Sequence, residues 1–350
     1  MTLHSVSNRM KQLWTHRWWS QYILQSHKTP KSIYSPLLTE QEILDLRYRV
    51  EQDWSRLQQN QNIEHRTAGE IRSVYRGHGM DYDESRPYYP GDELRFMNWR
   101  VTARTGEPHM KVFREERMPA VFIVIDRRQS MRFGTRKRLK VTQAMRAAAV
   151  TAFIARLRNA PLAGVLLDYK HEHAPDNELV PNLNWIAETN NERGVFNFIH
   201  TANTPCPPAA FLQNSQQIKQ DDKNSLSHVI RLLTPMLARG SHIVLISDFH
   251  DLDDQCRTSL MELSMTHQLK AIHIIDPAEK ELPACGSLLV QSDQKLTTRF
   301  NSSDEKMMHE YQHAAIMHIE SIQMIFRSLD IHYDTLLTES DRIESLIKVC

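Results

Sequence analysis

Glycine is scarce in this chain, with 10 in 350 residues. Neither G-x-x-x-x-G-K-S/T nor G-x-G-x-x-G occurs, which excludes the standard loops that cradle phosphate. Cysteine is scarcer still. Cys206, Cys256, Cys285 and Cys350 form no C-x-x-C pair, so neither a zinc knuckle nor a disulfide framework is expected, and a reducing, cytoplasmic compartment fits best. No apolar run approaches the roughly 18 residues of a membrane-spanning helix. Charge of one sign is not in excess either. The 43 Lys and Arg against 42 Asp and Glu leave a net +1, which argues against a dedicated nucleic-acid binder.

The charge that is present is unevenly placed. Residues 1–39 hold Arg9, Lys11, Arg17, Lys28 and Lys31 and no acid, so the rest of the chain is mildly acidic. Met10, Leu13, Trp14, Trp18 and Tyr22 recur in this arm at helical spacing. Such a basic amphipathic segment reads as docked on the protein's own body, as a peripheral contact with an anionic membrane or a partner surface, or as a disordered terminus. A capping-box pattern at Thr39 and Glu42 opens a second helix through Ile43, Leu46, Val50 and Trp54. The Gln- and Asn-rich stretch from Gln58 to Asn62 reads as a linker. Three segments follow from these shifts: 1–68, a basic arm and helix; 69–117, a small β-rich unit broken by glycine and proline; and 118–345, an α/β domain.

In the third segment, Val121–Ile125 is a continuous apolar run closed by Asp126, as in a strand buried on both faces. Further strands are expected at Ala163–Tyr169, His242–Ser247, Lys270–Ile275 and Ile331–Tyr333. Helices are expected at Lys137–Arg158, Ser225–Ala238, Gln255–His267 and Asp304–Leu329, and a hairpin near 288–300. This alternation means βαβ units and a doubly wound, mostly parallel sheet.

Two stretches carry more than pattern. Arg86-Pro-Tyr-Tyr-Pro-Gly-Asp-Glu-Leu-Arg-Phe-Met-Asn-Trp99, with Arg104 after it, closely resembles the signature of the bacterial domain-of-unknown-function family fifty-eight. Arg86, Tyr88, Pro90, Gly91, Asp92, Arg95, Trp99 and Arg104 match; Asn98 stands where that family usually has aspartate. The second stretch, Asp126 to Ser130 and on to Lys140, resembles the start of a von Willebrand factor A-like domain. In physical terms, Pro90-Gly91-Asp92 is a tight turn set among arginine–carboxylate pairs, with Trp99 as its buried anchor. It reads either as a structural turn or as a recognition surface formed by Arg86, Tyr88, Asp92, Arg95, Trp99 and Arg104.

The resemblance implies a Mg²⁺ or Mn²⁺ site at the carboxyl end of the sheet, from a D-x-S-x-S loop, a threonine and a second aspartate. Asp126, Ser130 and Asp248 match, and the threonine falls near Asn224 or Ser225. Arg128 occupies the first serine position beside Arg127. Like charges repel an incoming dication, so an arginine pairing Asp126 with Asp248 is the alternative to the ion, and a site with neither is the third. Asp251, Asp253 and Asp254 read as a solvated helix-start cluster. The resemblance further implies a non-enzymatic protein-binding adaptor, working with a MoxR-type AAA+ ATPase in remodelling or maturation of client proteins. The expected contacts are the Asp126/Ser130/Asp248 end and the signature segment. A competing motif, His309-Glu310-Tyr-Gln-His313, is H-E-x-x-H on a predicted helix and defines the alternative, a zinc-dependent hydrolase; it lacks a third ligand at the expected spacing.

Overall fold

The computed structural model describes residues 35–67, 81–114, 119–171, 179–206, 225–282, 286–291, 297–341 and 346. The N-terminal aromatic arm lies outside them. The chain divides into two compact units, Arg56–Met118 and the remainder (residues to Ser55 and from Pro119).

Helix α1 (Glu40–Thr67) opens with the expected capping box: Thr39 N donates to Glu42 Oε2 at 2.9 Å. It buries Ile43, Leu46 and Val50. The linker expected at Gln58–Asn62 is helical instead. Glutamine is a good helix former and no Gly or Pro interrupts the run before Gly69.

The smaller unit pairs β1 (Asp81–Pro87) with β2 (His109–Arg114) as an antiparallel ribbon around helix α2 (Trp99–Thr105). Gly106 ends α2 in the left-handed conformation, with φ 78°.

The larger unit is an α/β sandwich. Its strands are β3 (Val121–Asp126), β4 (Leu162–His171), β5 (Leu179–Thr189), β6 (His242–Ser247), β7 (Gln268–Ile275) and β10 (His332–Leu337), in the order β10-β7-β6-β3-β4-β5. All neighbours run parallel except β4 and β5. A separate hairpin joins β8 (Ser287–Gln291) and β9 (Thr297–Asn301).

Helices α5 (Leu226–Leu233), α6 (Asp254–Ser264) and α7 (Glu305–Ser328) bury Val229, Leu260 and Phe326 against Phe122, Val124 and Leu245 on one sheet face. Helices α3 (Lys140–Leu157) and α4 (Glu192–Ala202) cover the other. There Gly164 lets α4 approach: a Cβ would sit 2.9 Å from the Phe198 ring. Helix α3 is buried almost all round, which its alanine run permits. No helix among the described residues is long and apolar enough to cross a membrane.

The chain leaves central β3 toward β4 on one side and later returns to β6 on the other. In open α/β sheets the crevice at the carboxyl ends beside such a switch point is the usual ligand site.

Candidate functional site

Four parallel strands carry an aspartate toward their carboxyl ends: Asp126 closes β3, Asp168 lies within β4 near its end, and Asp248 and Asp276 directly follow β6 and β7. All four are buried. Carboxylates so placed need charged or hydrogen-bonding partners, and one loop, between β3 and α3, supplies most of them.

Arg128 binds two acids with its guanidinium. Its Nε lies 3.0 Å from Asp126 Oδ1 and its Nη2 2.7 Å from Asp126 Oδ2. The same Nη2 donates to Asp251 Oδ1 at 2.9 Å, and Nη1 pairs with Asp251 Oδ2. Ser247 Oγ and the Arg128 backbone N–H complete the shell of Asp126, at 2.6 and 2.9 Å. Burial opposes the charge on Arg128, but Asp126 and Asp251 outweigh it and hold its pKa well above the usual value.

Lys140, the first residue of α3, is fully buried and bridges Asp248 Oδ2 at 2.8 Å and Glu279 Oε1 at 2.6 Å. Burial alone would raise the Asp248 carboxyl; the Lys140 ammonium reverses that and holds it far below the carboxylate range. Arg132 Nη2 donates to Asp168 Oδ1 at 2.7 Å, and Arg127 Nε lies 3.0 Å from Asp168 Oδ2. Arg127 also closes the carboxyl end of α4, donating to Ala202 O and Thr204 Oγ1 at 2.7 Å. Asp276 is neutral-partnered: Thr135 N–H and hydroxyl, Thr338 Oγ1 and Ala278 N–H all donate to it. At the rim, Lys137 and Arg138 hold Asp341, whose carboxyl their hydrogen bonds lower to about 2.

This geometry corrects several expectations. Arg128 pairs Asp126 with Asp251, not with Asp248, because Lys140 has already taken Asp248. Asp251 is no solvated helix-start residue: it accepts from Arg128 and from Leu226 N at 3.0 Å, at the start of α5. Asp253 does cap α6, accepting from Cys256 N at 2.7 Å. Ser225 caps α5, and Asn224 lies outside the described residues. Ser130 is half-buried.

The donor set does not fit a hydrated dication, which needs free oxygen ligands and keeps its waters. Asp126 accepts four hydrogen bonds, and two cationic side chains fill the space between the acids. Among the described residues no group of three or more His, Cys, Asp or Glu is placed to hold a metal ion. His309 and His313 are exposed on α7, opposite buried Tyr311 and Ala315.

In the smaller unit the signature turn is built as its residue types imply. Arg86 grips Asp92 through two 2.8 Å bonds, Tyr89 N donates to Asp92 Oδ2 at 3.0 Å, and Gly91 adopts φ 107°. The Arg86 hydrogen bonds hold the Asp92 carboxyl below its usual range. Tyr88 is half-buried, its N–H donating to Pro108 O at 2.9 Å.

The anchor, however, is Asn98 rather than Trp99. Asn98 is buried, accepts from Val101 N at 3.3 Å as the cap of α2, and donates to Ser85 Oγ at 2.7 Å. A residue one position past a helix cap projects away from the cap's pocket, and Trp99 is 69% exposed. Tyr89 (61%) and Leu94 (62%) are exposed with it. Arg95 stacks on Phe96 at 4.6 Å and pairs with Glu93. Arg100 and Arg104 are exposed on α2 with no ion-pair partner among the described residues.

Sequence reasoning missed Asp168, Lys140, Glu279 and Asp276 as parts of one network. The signal was available in the fourfold recurrence of an apolar run closed by aspartate.

Compared with known proteins, residues 84–321 match the family described as "Protein of unknown function DUF58". An uncharacterized protein of Mycobacterium tuberculosis, Rv1480, is 25% identical over 321 residues, covering 92% of this chain and 94% of its own. An uncharacterized Mycobacterium avium protein is 27% identical over 126 residues, 36% of this chain and 74% of its own. Among solved structures, the conserved hypothetical protein BatB from Bacteroides thetaiotaomicron aligns at a TM-score of 0.38 and 14% identity, over 66% of this chain and 94% of that one.

Proposed function

The chain belongs to the DUF58 family, and we propose that it is a non-enzymatic, protein-binding adaptor with a von Willebrand A-like larger unit, acting in the cytoplasm. In this reading it works with a MoxR-type AAA+ ATPase in chaperone-like remodelling or maturation of client proteins. One observation carries the binding role. Trp99, Arg100 and Arg104 stand exposed on α2, and Tyr89, Leu94 and Arg95 are exposed in the segment just before it, whose turn the Arg86–Asp92 pair fixes. Large aromatics and arginine are the side chains that dominate protein–protein binding energy, and a preformed turn lowers the ordering cost of using them.

The contact surface therefore moves. Asp126 and Asp248 are buried and neutralised, so the signature segment takes the leading role expected of the sheet end. The same neutralisation supports a non-enzymatic reading, since acids saturated by internal cations are poor acid–base catalysts.

The test is affinity capture with the full tagged chain and mass spectrometry of what is retained. A MoxR-type ATPase is expected with the wild type and is lost with Trp99→Ala combined with Arg104→Glu, both exposed positions that leave thermal stability unchanged. Equal retention by the variant, or no ATPase with the wild type, would overturn the proposal.

A further inference from the structure

The end of the sheet where a divalent cation would tie the strand-end carboxylates together is filled by the protein's own cations. We infer that the chain takes no Mg²⁺ or Mn²⁺ there, because Arg128 and Lys140 permanently hold the positions and the charge that the ion would supply. The inference does not depend on the adaptor reading, since metal uptake is measured on the isolated chain.

Three observations converge. First, coordination is saturated. An ionised carboxylate has about four lone-pair sites, and Asp126 uses four: Oδ1 accepts from the Arg128 N–H and Nε, and Oδ2 from Arg128 Nη2 and Ser247 Oγ. Asp251 is engaged by both Arg128 Nη atoms and by Leu226 N. Second, every acid of this set already has a cation, and the two cations together supply the double positive charge that the ion would bring. Asp126 and Asp251 meet one guanidinium, and Asp248 and Glu279 meet one ammonium. A dication added to this set would sit within a few Å of two positive groups that cannot leave without unpaired burial. Third, the cations have no room to swing aside: Arg128 is 6% and Lys140 0% exposed. The arrangement does mechanically what a bound ion does, joining the β3, β6 and β7 ends, but without exchange with solvent.

Mn²⁺ titration followed by the electron paramagnetic resonance of the free ion tests this on the full chain. The wild type is expected to leave the free signal undiminished and to melt at the same temperature in EDTA and in millimolar Mn²⁺. Arg128→Ser re-creates the D-x-S-x-S pattern after Asp126. It is expected to take up one equivalent, and to lose that uptake when Asp126→Asn is added. Stoichiometric uptake by the wild type, abolished by Asp126→Asn, would overturn the inference. So would a folded Arg128→Ser that takes up none. If Arg128→Ser does not fold, Arg128→Ala replaces it with the same two outcomes, because it too removes the charge and frees the Asp126 oxygens that the guanidinium holds.

Discussion

Replacing Lys140 with methionine removes one ammonium and leaves two buried carboxylates facing each other. The Lys140 Nζ is 2.8 Å from Asp248 and 2.6 Å from Glu279, and all three side chains are buried. Methionine matches the lysine stem in volume, so packing is nearly conserved and the loss is electrostatic. Breaking a buried pair from one side costs roughly 3–5 kcal/mol. At about 2–4 °C per kcal/mol for a domain of this size class, the melting temperature should fall by on the order of 10 °C.

The pH dependence separates charge from packing. In the wild type, Lys140 outweighs burial and holds Asp248 far down; Asp248 and Glu279 likewise outweigh burial and hold Lys140 far up. A depressed carboxyl contributes stability above its unfolded value of about 3.9 and loses it as pH falls through the folded value. A raised lysine contributes below about 10.4 and loses it as pH rises through its folded value. The pair therefore stabilises across the neutral range.

In Lys140→Met, burial acts on Asp248 without its main counter-charge and its pKa rises, so protonation relieves the strain. The deficit against wild type should shrink between about pH 8 and about pH 5. Urea unfolding at both pH values, with Lys140→Met/Asp248→Asn to close the double-mutant cycle, reads this directly. A loss below about 1 kcal/mol, or an equal loss at both pH values, refutes the reasoning.

Other outcomes follow from single contacts. Asn98→Ala should destabilise the smaller unit by about 1 kcal/mol through loss of the α2 cap, seen as faster amide exchange at Val101. Asn98→Asp, which restores the family's usual residue and can still accept from that N–H, should be near neutral. Gly134→Ala should cost about 1–3 kcal/mol, because a Cβ there would press on the Arg138 carbonyl and come within 2.8 Å of Leu139 Cα; chemical denaturation measures it. Burial lowers His273 to about 3, so the folded chain binds fewer protons there than the unfolded chain between about pH 6.5 and that value. Stability should fall on acidification across that window, by up to about 1.4 kcal/mol per pH unit from this group. His273→Phe should flatten that slope, and an unchanged slope would show that other groups set it.

The strands that build the site were legible because burial on both faces writes itself as an unbroken apolar run. His242–Ser247 was expected with the bounds it has, and Val121–Ile125 extends only to Asp126. β5 and α4 were not expected at all. β5 is an edge strand containing Pro181, Asn182 and Asn184, with Asn184 and Trp185 exposed, so no core periodicity marks it. In the site, the residue types were readable and the partners were not. That Arg128 meets an acid follows from charge alone. Which acid it meets depends on where α3 places Lys140 and where the β6–α6 loop carries Asp251, and neither is a local property of the sequence. The exposure of Trp99 was missed for a related reason: indole area argues for burial, whereas its place just past the Asn98 cap turns it outward.

The cations of the β3–α3 loop, with Lys140 at the start of α3, also bear on how slowly the larger unit comes apart. Their partners lie 36 residues away at Asp168, 108 at Asp248, 123 at Asp251, 139 at Glu279 and 203 at Asp341. Contacts of such span close only after the strands have assembled, because the chain entropy of long loops must be met first. Interactions absent from the folding transition state act on the unfolding rate alone. The network is thus a brake on opening that gives the protein a lifetime longer than its equilibrium stability alone would set; its loss should raise the unfolding limb of a chevron to faster rates while refolding keeps its pace.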